Sequence, residues 1–257
     1  MAEPYFQDAS SRRAKMIAVL RLIHKVYSAL IFLPLYIALS FVLLIFCVVL
    51  CLFDERIAGR YVARPWGKLA YLLLPSPVKL TGSENLDPKQ SYVVVVNHIS
   101  QFDILALYGW LDLDLKWVMK KELRMIPIIG WGSAAMGHIF LDRKNRDVAK
   151  RQLNDLKKTL RPGVSVLFFP EGTRSPTPEM LPFKKGAFII AKDLELPILP
   201  VTINGTQKIL PVGGYIPSFG RAHIHIHPPL SQEQVAELTP SELSERAQAI
   251  IATARKH

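Results

Sequence analysis

The chain has 257 residues, half of them apolar, which suits one ordinary domain with an appendage and excludes two catalytic domains. The 32 Lys and Arg outnumber the 21 Asp and Glu to give +11, so an anionic partner is expected: a membrane surface, a nucleic acid or a phosphorylated small molecule. Only two cysteines are present, too few for a disulfide framework or a cysteine-based zinc site.

In chain order, Arg12, Arg13, Lys15, Arg21 and Lys25 lead into Val26 to Phe53, 28 residues without a charge. As one helix this run extends about 42 Å, more than a bilayer core needs. It ends on bulky residues and "DER" rather than at a small-residue cleavage site, so a retained membrane segment is expected. Arg56, Arg60, Arg64 and Lys68 follow it, and both flanks therefore look cytoplasmic. Pro34 offers a break, and the reading adopted is a hairpin that dips into one leaflet and returns, rather than a single span. Cys47 and Cys51 lie on one helical face inside it and read as packing residues. This divides the chain into an anchoring segment, residues 1–70, and a domain, residues 71–257.

Beyond residue 75, short β-rich runs alternate with helical stretches, which indicates an α/β domain with a mostly parallel central sheet flanked by helices. Strands are expected at Val78–Leu80, Tyr92–Val96, Leu115–Val118, His138–Leu141, Val164–Phe169, Ile198–Ile203 and Ala222–His227. Helices are expected at 101–111, 122–134, 146–160, 184–194 and 231–253. The positive charge is local: between Lys116 and Arg161, twelve Lys and Arg face four Asp and Glu.

The stretch "VVVVNHISQFD" (93–103) ends a buried-strand pattern on polar residues. The carboxyl ends of parallel strands are where loops converge on a ligand. If a helix starts after Ser100, Asp103 lies about one turn beyond His98 and can accept from its Nδ1, leaving Nε2 as a base. That is the His–Asp part of a triad without its serine, so the nucleophile would come from the substrate. The competing reading is a structural hydrogen bond at a helix start, and Ser100 reads as a cap. "FFPEGTRS" (168–175) sets Glu171, Thr173 and Arg174 around Gly172, which permits close approach of backbone to a ligand. A backbone N–H near Gly172 is a candidate oxyanion donor, with no residue assigned to that role. "IFLDR" ends on Asp142 and Arg143, and "VMKKEL" delivers Lys120 and Lys121. Three basic strand ends in one domain point to phosphate binding.

Some features invite blander readings. His223, His225 and His227 share a strand face as in a metal site, but no carboxylate or cysteine accompanies them. Lys184 and Lys185 read equally as phosphate contacts or a solvated helix start. For Trp110, Trp117 and Trp131, packing is the default over lipid contact.

Four blocks together, "NHISQFD", "KKELRMIPIIGWG" with "GHIFLDR", "FFPEGTRS" and "LPILPVTINGT", span residues 97–206 and resemble the signature of the 1-acylglycerol-3-phosphate acyltransferases, also called lysophosphatidic acid acyltransferases. The apolar amino-terminal segment is similar to that of bacterial members. The resemblance implies the glycerolipid acyltransferase fold and transfer of an acyl group from acyl-CoA or acyl carrier protein to the sn-2 hydroxyl of lysophosphatidic acid, giving phosphatidic acid. It implies His98 as general base and Asp103 as its orienting partner. Lys120, Arg143 and Arg174 would be phosphate contacts, and Glu171, Gly172 and Thr173 would belong to the acceptor site, with Glu171 near the glycerol portion. No metal, cofactor or nucleic acid is called for. Membrane phospholipid is an expected partner, and the expected location is the inner membrane with the catalytic domain on its cytoplasmic side. Three alternatives stand beside it. A relative with another acceptor would use the same base. A hydrolase lacks the GxSxG elbow here. A non-enzymatic binding module would leave His98 and Asp103 unexplained.

Overall fold

The computed structural model describes residues 16, 18–20, 22–142, 151–152, 160–177 and 179–256. The strands are β1 (Val78–Thr81), β2 (Val93–Val96), β3 (Asp114–Lys120), β4 (Ile139–Leu141), β5 (Val164–Phe168), β6 (Ile198–Asn204) and β7 (Ala222–Ile226). The helices are α1 (Leu33–Cys51), α2 (Glu55–Ala58), α3 (Arg64–Leu73), α4 (Phe102–Trp110), α5 (Ile129–Ala135), α6 (Gly186–Leu194), α7 (Thr206–Ile209), α8 (Gln232–Glu237) and α9 (Pro240–Thr253). All seven expected strands are present, within two residues at each end, in one sheet of order β1-β7-β6-β2-β5-β3-β4. From β6 to β4 the neighbours run parallel, and only β7 is antiparallel to β6.

The four valines of β2 have no exposed surface, because β2 pairs with β5 on one side and β6 on the other and both faces are covered. A strand in that position reads as a continuous apolar run rather than an alternation. Its side chains divide between two cores. Val94 and Val96 pack with residues of α3 and α4, and Val93 and Val95 with residues of α6 and α9. The crossing of α3 and α4 is tight at Gly67, where an added Cβ would lie 2.4 Å from the Leu105 carbonyl oxygen.

Two expected helices are each divided by proline. The stretch 122–134 splits into a 3₁₀ turn, Lys121–Met125, and α5, with Pro127 between them. The stretch 231–253 splits into α8 and α9 because Thr239-Pro240-Ser241-Glu242 is itself a helix start: Thr239 and Glu242 form a capping box with Pro240 at the first turn. Most of the expected helix 146–160 lies outside the described residues.

The amino-terminal segment differs from expectation. Helix continues from Ala18 to Cys51, long and apolar enough to cross a membrane, and it does not break at Pro34. The physical reason lies one turn earlier. Proline removes a donor and crowds the carbonyl four residues back, and here a π-helical turn at Ser28–Phe32, closed by the Leu33 N–H on the Ser28 carbonyl, supplies the wider spacing. The chain reverses instead at Leu52–Asp54, where Asp54 caps α2 by accepting from the Arg56 N–H at 2.8 Å. The returning arm packs along one stripe of the long helix. Tyr27 donates to the Leu73 carbonyl at 2.7 Å, Tyr36 to that of Trp66 at 3.1 Å, and the Trp66 indole N–H to Ser40 Oγ at 2.8 Å. Phe32, Ser40 and Cys47 are buried on that stripe, while Leu30, Ile45, Phe46 and the tip residues Leu52 and Phe53 are exposed. Helix α3 runs across residue 70, the expected border, and buries Ala70 and Tyr71 in the larger core. Cys47 and Cys51 are both free thiols, Cys47 packed with Ala58, Val62, Ala63 and Met136.

Candidate active site

The polar residues after β2 divide their work. Asn97 is fully buried and locks β2 to β6, accepting from the Ile203 N–H at 2.8 Å and donating to the Ile203 carbonyl at 2.9 Å. Ser100 accepts from the Phe102 N–H at 3.1 Å at the start of α4 and donates to the Leu210 carbonyl at 2.7 Å. Between them, His98 Nδ1 lies 2.8 Å from Asp103 Oδ2. Asp103 is fully buried, and the same oxygen accepts from the N–H groups of Ile99 at 2.8 Å and Ser100 at 2.9 Å, while Oδ1 accepts from Thr206 Oγ1. A carboxylate so surrounded by donors only accepts, so Nδ1 carries the imidazole proton and Nε2 keeps its lone pair.

The backbone of His98 is held as firmly as its ring. Glu171 Oε1 accepts the His98 N–H at 2.7 Å, and the His98 carbonyl accepts from the Ser175 N–H at 2.8 Å. Glu171 Oε2 accepts the Leu181 N–H at 2.8 Å, so both oxygens of this buried carboxylate are engaged by main chain. Burial raises its pKa, partly opposed by those two amides. Phe169 stacks on the imidazole with ring centroids 3.9 Å apart and planes within 13°. The turn carrying Glu171 needs glycine next: Gly172 has φ +76°, and a Cβ there would come within 2.6 Å of Lys184 Nζ. The Gly172 N–H itself is directed to the Phe169 carbonyl at 3.0 Å.

His98 borders a cavity of about 290 Å³ that it shares with Lys120, Gly172, Thr173 and Arg174. The remaining wall, Ser40 and Ser133 apart, is apolar and includes Leu43, Leu44 and Cys47 of α1, Ile104 and Tyr108 of α4, and Leu123, Ile128 and Met136. The two lysines of "KKEL" separate: Lys120 reaches the cavity, whereas Lys121 Nζ lies 2.6 Å from Asp142 Oδ2, which raises its pKa through that hydrogen bond. Arg143 lies outside the described residues. Deeper in the wall Tyr108 hydrogen-bonds His138 Nε2, and burial, with Lys116 nearby, pushes the His138 pKa down to about 3.

Three contributors escaped sequence reasoning. Thr206 supports Asp103 from 103 residues away, and its only signal was its place in the block ending "INGT". Phe169 was read as strand. Helix α1 was read as an anchor, yet it walls the cavity. Thr81 Oγ1 of β1 lies 2.9 Å from both His223 Nε2 and His225 Nδ1 of β7, and Thr202 Oγ1 of β6 lies 2.8 Å from Nε2 of His227, just past β7, so neighbouring hydroxyls occupy these rings.

A family model described as Acyltransferase matches residues 77–204. A Pseudomonas aeruginosa protein named 1-acyl-sn-glycerol-3-phosphate acyltransferase is 31% identical over 199 residues, 76% of this chain and 76% of that one. The chain belongs to this acyltransferase family. The crystal structure of a 1-acyl-sn-glycerophosphate acyltransferase from Thermotoga maritima superposes with a TM-score of 0.74 at 30% identity, covering 93% of this chain and 99% of the other, which agrees with the α/β fold expected from the sequence. A family member from Saccharomyces cerevisiae carrying the same name as the Pseudomonas protein is 34% identical over 198 residues, and this chain spans 64% of its length.

Proposed function

We propose that this chain transfers an acyl group from an acyl thioester to the sn-2 hydroxyl of 1-acylglycerol-3-phosphate, giving phosphatidic acid. The observation that carries the reading is a histidine held through both ring and backbone, with Nε2 unengaged among the described residues, beside a cavity that is apolar on one side and cationic on the other. Nε2 takes the proton of the acceptor hydroxyl as its oxygen attacks the thioester carbonyl. The Nδ1–H stays on Asp103, whose charge stabilises the imidazolium. Collapse of the tetrahedral intermediate breaks the C–S bond, and the departing thiolate takes the proton from the imidazolium. Acyl chain fills the apolar wall, and Arg174 with Lys120 faces the phosphate: a planar guanidinium binds two oxygens together and an ammonium supplies a point charge. Thr173 lies at the same rim, and Arg143 is proposed as a further phosphate contact. Glu171 acts through the loop it holds and through the His98 backbone.

Acyl-CoA and acyl carrier protein are cytoplasmic donors. The reading therefore sets residues 1–70 as the anchor in the inner membrane, with the catalytic domain on its cytoplasmic side. A cysteine introduced at Ser10 is expected to resist an impermeant thiol reagent until cells are lysed, and labelling of intact spheroplasts would withdraw that orientation. For the chemistry, purified protein is given lysophosphatidic acid and acyl-CoA while thiol and phosphatidic acid are measured together. The two are expected in equal amounts, and thiol without phosphatidic acid would mean hydrolysis. Equal rates with a phosphate-free monoacylglycerol would move the function to another acceptor.

A further inference from the structure

The segment from Lys121 to Trp131 has a surface that the chemistry does not use. Met125 is 82% exposed and Trp131 55%, with Ile126 and Ile129 also exposed, so four large apolar side chains within seven residues face outward. Such a group on a folded domain marks an interaction site. Its continuity says what covers it: Gly132 sits beside α1, where an added Cβ would lie 3.3 Å from Leu44 Cδ1, and the exposed Ile45, Phe46, Val48 and Val49 of the membrane-length helix follow directly in α1. Cations accompany it. Lys120, Lys121 and Arg124 are exposed, Arg124 with its guanidinium 5.7 Å from the Phe140 ring centroid. Basic residues beside exposed apolar side chains and a tryptophan are the composition of an element lying at a headgroup boundary.

The backbone supports the same role. Ile128 has φ +66° and ψ −64°, one of two non-glycine residues with positive φ among the described residues, and the Ile129 N–H closes a three-residue turn on the Pro127 carbonyl at 2.7 Å. A β-branched residue in that conformation is strained, and strain of this kind accompanies function. Ile128 and Ile129 border the cavity, whereas Met125, Ile126 and Trp131 do not. The segment is thus both wall and outer rim of the site.

We propose that Met125–Trp131 is a second lipid-contacting element, resting in the same leaflet as α1 and forming the rim past which a lipid substrate passes between bilayer and cavity. The lipid contact rests on membrane attachment of α1, and the passage of substrate rests in addition on the proposed acyl transfer. In a background with Cys47 and Cys51 replaced by alanine, single cysteines Met125→Cys, Phe46→Cys and Glu245→Cys carry an environment-sensitive fluorophore. The full chain is then mixed with vesicles of phosphatidylcholine and phosphatidylglycerol containing spin-labelled lipid. Quenching at position 125 should match that at position 46 and exceed that at position 245, on exposed α9 surface, by about twofold or more. In parallel, Met125→Asp/Trp131→Asp should weaken vesicle binding by about tenfold or more while retaining turnover of a short-chain lysophosphatidic acid dissolved as monomer. Quenching at position 46 with none at 125 overturns the proposal alone; absence at both overturns it together with the membrane attachment of α1. Self-quenching of the position-125 label in lipid-free solution, with none from vesicles, would assign the surface to a second copy of the chain and overturn it as well.

Discussion

Asp103 after β2 and Glu171 after β5 are both carboxylates at the carboxyl ends of parallel strands, both buried, and both anchored by two main-chain amides. They differ in which part of His98 they hold. Asp103 takes the ring nitrogen and fixes a tautomer; Glu171 takes the peptide N–H and fixes a position. Burial alone thus does not tell the two apart, since one is linked to the imidazole ring and the other to the backbone beside it. The contrast shows that a residue of a motif can be spent on main-chain contacts.

The largest effects should come from the ring side. His98→Ala and Asp103→Asn are each expected to lower kcat by on the order of 10²–10⁴ in a folded protein, since an amide holds the ring in the wrong tautomer and leaves the imidazolium unpaired. A near wild-type rate in either purified variant would remove the mechanism. Glu171→Gln separates the two carboxylates. Its NH₂ must meet one of two buried N–H donors, so unfolding stability should drop by about 1–3 kcal/mol and kcat should fall with little change in the acceptor's KM. A raised KM at unchanged stability would instead mean direct contact with the acceptor. Arg174→Ala should weaken use of lysophosphatidic acid by about 1.5–3 kcal/mol, mainly in KM, with partial recovery by lysine. If monoacylglycerol suffers the same loss, Arg174 is not a phosphate ligand.

The smallest effect on turnover concerns histidines that are buried rather than bordering the cavity. Burial lowers the pKa of His138 to about 3 and that of His227 to about 4. Between pH 6.5 and 4 the unfolded chain takes up protons that these sites refuse. Their stability contribution is therefore full above pH 6.5 and lost progressively as pH falls, levelling off below the folded-state values. His138→Gln should flatten that slope in detergent-solubilised unfolding curves. An unchanged slope would show that His138 is not held neutral.

Much of this was legible beforehand, for physical reasons. The strands announced themselves because β-branched runs covered on both faces leave an uninterrupted apolar pattern, and His98 and Asp103 are five residues apart, within reach of one helical turn. What was hidden depended on distant or compensated features. Thr206 meets Asp103 only through the sheet topology. The role of Glu171 depends on where two backbone amides point, which no side-chain pattern records. Pro34 misled because the π-helical turn before it absorbs the break, and the reversal at Leu52–Asp54 carries only an aspartate cap as its sign. Leucines of α1 that line the cavity have the same composition as those that face outward, so the helix's second role left no mark in the sequence.

The most direct test of a base without a protein nucleophile is rapid mixing of enzyme with acyl-CoA alone, followed by acceptor, with thiol release recorded at each stage. The account predicts no stoichiometric burst before lysophosphatidic acid arrives, and then thiol release matched by phosphatidic acid at a rate that collapses in His98→Ala. A burst of one thiol per enzyme with donor alone would reveal an acyl-enzyme and contradict direct attack by the acceptor hydroxyl.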